Sequence, residues 1–165
     1  MKKFELTTDT KMRFGKKLFR IKALISFGNV KVGDMGGYIE KEENLSQYGN
    51  AWVSGNAEVY GDAKVSGNAE VSGDAWVYGN AEVYGDAEVS GDADYATASG
   101  FGSECRTTTF FKLKNSDEIG VRCGCFYGTL KEFKEKVKET HGESKKAKEY
   151  LMLADLMEYR FSEEK

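Results

Sequence analysis

The chain has 165 residues, of which 40% are apolar and 31% charged, with a formal net charge of −3. That balance belongs to a folded domain and excludes both an acidic disordered tail and a bundle of membrane spans. Proline is absent and glycine occurs 19 times, so the sharp turns must come from Gly, Asn and Asp.

Residues 1–38 read as an N-terminal β cap. The opening "MKKFELTTDTK" is basic but has no apolar core, so no secretory signal is expected and cytoplasmic residence follows as the default. "FELTT", "KMRF" and the alternating "LFRIKALISF" have strand character, and "GDMGGYI" leads into the next segment.

Residues 39–95 are a repeat of period six. Gly stands at 49, 55, 61, 67, 73, 79, 85 and 91, followed each time by Asn or Asp and then Ala. Two residues after the Ala comes Val, at Val53, Val59, Val65, Val71, Val77, Val83 and Val89. A fixed short period signals a solenoid. Ala and Val, two apart, share one face of a strand, while Trp, Glu, Lys, Ser and Tyr take the other. Gly followed by Asn or Asp suits a left-handed corner, and β-branched Val suits a packed wall. Three such strands can close a triangle. Every third repeat then stacks: Val53, Val71 and Val89 on one wall, Val59 and Val77 on the next, Val65 and Val83 on the third. Ile39 and Leu45 extend the pattern upstream in the Ala register. Past Ala93 the Val column breaks at Tyr95.

Residues 96–165 read as an α+β module of ββαα type. "ATASGFGSE" is a loose connection, followed by a hairpin of "TTTFFKLK" and "IGVRCGCF" about the turn "NSDE". A helix starts at Thr129 with Glu132 three residues on, the pattern of a capping box, and Gly142 stops it. A second helix opens near Ser144, with Ala147, Leu151, Ala154 and Met157 inward.

The repeat V-x-G-[N/D]-A-x resembles the hexapeptide repeat of left-handed parallel β-helices, the fold of trimeric bacterial acyltransferases and gamma-class carbonic anhydrases. The segments "FRIKALISFGNVKVGDMGGYIEKEENLSQYGNAWV" and "VRCGCFYGTLKEFKEKVKETHGESKKAKEYLMLADLM" are similar to parts of uncharacterised bacterial and prophage hexapeptide-repeat proteins. The resemblance implies a mainly β protein. Its centre would be a short left-handed β-helix with three hexapeptides per coil, between an N-terminal β cap and a C-terminal ββαα cap. It also implies phage-related origin and residence in a bacterial host cell, and a homotrimer or dimer fits it. It carries no established activity.

The enzymes of that fold need histidines on or beside the coils, as general base or zinc ligands. Here the single histidine, His141, lies in the C-terminal helix. Cys105, Cys123, Cys125 and His141 do not have the spacing of a zinc site. Cys123 and Cys125 are expected on one face of a strand as small apolar residues. Calcium-binding solenoids use nine-residue units with aligned carboxylates, which a six-residue period with half its turn acids as Asn does not supply. No catalytic residue, cofactor or metal is therefore expected.

The outward positions remain. Residues 49–94 carry one Lys against nine acids, giving −8, whereas residues 1–48 carry ten bases against six acids, giving +4. A rigid acidic body can attract a basic groove, and acidic β-solenoids of the pentapeptide-repeat kind mimic duplex DNA. Direct nucleic-acid binding is disfavoured, because phosphate contacts need Lys and Arg. Aromatic residues are frequent interface anchors. The expected partner-binding residues are accordingly Trp52, Glu58, Tyr60, Glu70, Trp76, Tyr78, Glu82, Tyr84 and Glu88, facing a bacterial protein away from any membrane. Inhibition of a nucleic-acid-handling host defence enzyme is the specific form of that expectation. A structural homotrimeric scaffold or virion-associated protein is one alternative, and a residual hexapeptide-fold transferase or nucleotide trap is another.

Overall fold

In the computed structural model, which describes residues 2–101 and 106–162, the N-terminal alternation folds back on itself. Strands β1 (Phe4–Arg13) and β2 (Lys16–Ala23) pair antiparallel, and β2 pairs antiparallel with β3 (Met35–Ile39). The first two strands join through Phe14 and Gly15, at φ +50° and +78°, the backbone of a two-residue hairpin turn whose twist matches its strands. Phe4, Leu18, Ile21, Ala23 and Ile39 are fully enclosed.

The repeat forms seven strands of two residues each: β4 (Trp52–Val53), β5 (Glu58–Val59), β6 (Lys64–Val65), β7 (Glu70–Val71), β8 (Trp76–Val77), β9 (Glu82–Val83) and β10 (Glu88–Val89). Each pairing is parallel and joins a strand to the third one after it, as Trp52 to Glu70 and Glu70 to Glu88. Three parallel ladders result: β4–β7–β10, β5–β8 extended by β3, and β6–β9. Every Val of the repeat is fully buried, as are the Ala residues between them. Burying one Val contributes about 1.5–3 kcal/mol, so this column is the main source of stability in the segment. Close stacking also fixes the corner residue. A Cβ on Gly67, at φ +72°, would lie 2.7 Å from the Gly85 nitrogen.

The upstream register departs from simple counting. Ile39 and Leu45 take the Val column, not the Ala column, because Ile39 sits opposite Val59 and Leu45 is bridged to Val65. The reason is local. One residue separates each Val from the next Gly in the repeat, but Ser46, Gln47 and Tyr48 separate Leu45 from Gly49.

Within the repeat, the Gly and Ala carbonyls accept hydrogen bonds from backbone N–H groups of the third repeat before, as Gly67 from Asn50 and Ala69 from Trp52. The first turns have no preceding repeat, and side chains take over. The Lys3 ammonium donates to the Ala51 oxygen at 2.7 Å and the Gly49 oxygen at 3.5 Å. The Asn44 amide donates to the Ala63 and Gly61 oxygens at 2.9 and 3.1 Å. Both side chains are buried, and an unmet buried carbonyl would cost about 1–3 kcal/mol.

The chain divides into two compact units, Met1–Asp92 and Ala93–Lys165. The second holds a four-stranded antiparallel sheet in sequence order: β11 (Tyr95–Phe101), β12 (Arg106–Lys112), β13 (Ile119–Cys123) and β14 (Phe126–Thr129). The expected two strands are thus four. "YATASGF" pairs with β12, Tyr95 opposite Phe111 and Ala96 opposite Phe110, although its small residues give no strand signal alone. Helices α1 (Leu130–His141) and α2 (Lys145–Phe161) follow. Thr129 and Glu132 cap α1 reciprocally, at 3.2 and 3.0 Å, and the Ser144 hydroxyl accepts from the Ala147 N–H at the start of α2. Phe110, Val121, Phe133, Val137, Ala147, Tyr150, Ala154 and Met157 build the core. Tyr150 fills the inward place expected of Leu151, which is half-buried.

Candidate interaction surface

The nine expected contact residues differ in exposure, because the N-terminal segment covers part of the repeat: its hairpin lies over Glu58 and Phe27 packs on Trp52. Arg13 lays its guanidinium fork on Glu58, with Nε and Nη2 each donating at 2.7 Å to one carboxylate oxygen, and the Lys11 ammonium sits 3.1 Å from the same group. Burial by itself would raise the Glu58 carboxyl, but the hydrogen bonds from Arg13 and Lys11 outweigh it and hold the group below its ordinary 4.5. The Arg13 guanidinium also lies 4.5 Å over the Trp76 ring, and the Phe14 ring meets that indole edge-on at 6.2 Å.

Three of the nine residues are therefore enclosed and do not face a partner. Glu58 is 1% exposed, and Trp52 and Tyr60 are each 7% exposed. Trp52 packs edge-on against Phe27 at 5.4 Å, while Tyr60 stacks on Tyr78 at 5.6 Å. The signal for this cover lies upstream of Val32, where the net positive charge and Phe14 and Phe27 match the acids and outward aromatics of the repeat. The chain thus satisfies Glu58, Trp52 and Tyr60 with its own side chains.

The other six remain accessible in different degree. Glu70 and Glu88 are exposed and directly in register on β7 and β10. Tyr78 is 52% exposed. Trp76, Glu82 and Tyr84 are half-buried. Glu82 is paired in register with Lys64, next to a polar cavity of about 390 Å3 that Lys41, Glu43, Asp62 and Asn80 also line. Lys41 reaches Asp62 there at 3.1 Å, and this bond raises the Lys41 pKa above its ordinary value. The ladder β4–β7–β10 thus presents an acidic pair, whereas β6–β9 presents balanced charge.

The reactive side chains lie in the second unit. A cavity of about 280 Å3 is lined by Arg106, Cys123, Cys125, Phe133, His141 and Tyr150 among others. His141 stacks on Tyr150 at 6.0 Å, and the Thr108 hydroxyl donates to Cys123 Sγ at 3.2 Å. Cys123 and Cys125 do not share a strand face. Strand β13 ends at Cys123, and Gly124, at φ +59°, turns the chain so that Cys125 is exposed. Cys105 lies outside the described residues. Among the described residues no three His, Cys, Asp or Glu side chains gather as metal ligands, and no helix is long and apolar enough to cross a membrane.

Compared with protein-family models the chain matches none, and no curated protein is similar to it.

Proposed function

We propose that this is a non-catalytic binding protein of phage or prophage type, whose acidic repeat segment occupies a basic groove on a bacterial protein. In this reading the three parallel ladders are the walls of a short left-handed β-helix, one turn of which takes three hexapeptides, as in the hexapeptide-repeat proteins the sequence resembles. The observation that carries the reading is the exposed carboxylate pair Glu70 and Glu88 on adjacent parallel strands. Adjacent strands lie about 4.8 Å apart, and like charges set side by side at that distance weaken a sheet. An acidic row of this kind attracts a cationic surface on another molecule. Tyr78 adds an exposed ring suited to anchoring such a contact. A protein that handles nucleic acid offers a groove of the required sign, so a host defence enzyme is the partner class to test first.

The test is crosslinked capture from bacterial lysate with the intact chain and with the Glu70→Lys/Glu88→Lys variant. Recovery of one nucleic-acid enzyme by the native chain, loss with the variant, and competition by duplex DNA are expected. A captured enzyme that the variant retains equally would remove the acidic pair from the contact.

A further inference from the structure

Helix α2 is apolar on two opposite sides. Its inward side carries Ala147, Tyr150, Ala154 and Met157, all within the core of the second unit. Its outward side carries Met152, Leu156 and Tyr159, at 70%, 55% and 81% exposure. With about 100° per residue, these three fall within about 60° of one another, a continuous stripe on the side away from the core. An exposed stripe of this kind marks a contact surface, and the charges beside it say which molecule fits.

Glu149 and Arg160 flank the same edge of the stripe, near opposite ends of the helix. Among the described residues neither has an ion-pair partner. We infer that α2 is the contact surface of a two-fold symmetric dimer, in which the Met152–Leu156–Tyr159 stripe packs antiparallel on the same stripe of a second copy. In the antiparallel register that sets Met152 against Leu156 of the second copy, Glu149 comes opposite Arg160 of the second copy within about one residue. The two-fold axis repeats the pair, so each dimer has two such ion pairs. In a parallel two-fold pair this edge would face the opposite edge of the second helix, so Glu149 and Arg160 would not meet. Along the other edge, Asp155 approaches its own counterpart near the axis. Its carboxylate is held by Lys134 at 3.1 Å, which offsets part of the repulsion, although Lys134 is shared with Glu158. The Glu149 and Arg160 edge is complementary to itself under a two-fold rotation.

One helix pair buries an area at the low end of specific interfaces, so dissociation on the order of 10–100 µM is expected. Sedimentation equilibrium of the full chain across that range should show a monomer–dimer equilibrium. Leu156→Glu should be monomeric throughout. Glu149→Arg and Arg160→Glu should each weaken the dimer roughly tenfold, and the two combined should restore it to within about threefold of the native chain. All four variants alter exposed or half-buried positions, and an unchanged melting temperature by circular dichroism confirms that each is folded. A chain that stays monomeric, or a dimer or trimer indifferent to Leu156→Glu, overturns the inference. So does a double charge swap that fails to restore association.

Discussion

Burial pushes the Lys3 ammonium down from its ordinary 10.5 to about 8, while its hydrogen atoms are aimed at the Ala51 and Gly49 oxygens. A neutral amine still has two N–H donors for those carbonyls, so the deprotonated form keeps the cap. The sign follows from linkage. Between pH 8 and 10.5 the unfolded chain holds a proton that the folded chain has released, so this group makes stability rise with pH across that window. Urea titrations at pH 8 and pH 10 should show that rise, and Lys3→Met should reduce it while leaving Ala51 unsatisfied. Glu58 acts at the opposite end of the scale. Its carboxyl is held below its ordinary value, so the stability it contributes is present above about 4.5 and is lost as pH falls through the folded value. Glu58→Gln should flatten the acid limb of a melting-temperature profile. Arg13→Ala should lower the melting temperature at neutral pH, because it leaves an enclosed carboxylate without its fork of donors. The basic start hinted at a partner for Glu58, but the role of Lys3 was not legible in the sequence. A lysine at position 3 reads as an ordinary basic end, because the carbonyls it caps lie 46 and 48 residues away.

At the scale of elements, legibility follows how local the cause is. The start of α1 was readable because its capping box needs only Thr129 and Glu132, and Thr129→Ala should lower thermal stability by about 1 kcal/mol. The repeat strands were equally readable, since six columns of residues state the same turn and the same buried face again and again. Strand β11 was not, because "YATASGF" becomes a strand only by pairing with Phe110 and Phe111 across the ladder. The upstream register failed for a related reason. A period counted along the chain cannot reveal that Gln47 and its neighbours lengthen one corner, where the Gln47 side chain accepts from the Lys3 N–H at 2.7 Å. Corners inside the repeat allow no such freedom. Gly67→Ala, at φ +72° and against the Gly85 backbone, should cost about 2–3 kcal/mol in urea unfolding.

For the whole molecule, the sequence separated a basic beginning from an acidic middle, and much of that contrast is resolved inside the first unit through Arg13, Lys11 and Lys41. The candidate surface shrinks accordingly, from nine residues to the acidic pair, the exposed Tyr78 and the half-buried Trp76, Glu82 and Tyr84. Sequence reading finds outward positions by alternation alone, and alternation does not say whether another part of the same chain will cover them. The second unit has its own core, sheet and capped helices. Residues 93–165 expressed alone should therefore unfold cooperatively with the helical circular dichroism of the full chain.

Pairing of each strand with the third one after it has a consequence for how such a chain can change length. Adding or deleting a block of three whole repeats returns every side chain to its former column, so both the Lys3 seal and the acidic row would survive. Removing a single repeat keeps Val inside but rotates the exterior by one side, carrying Glu88 out of line with Glu70. Length can therefore vary in large quanta without loss of surface pattern, and in small ones only by scrambling it.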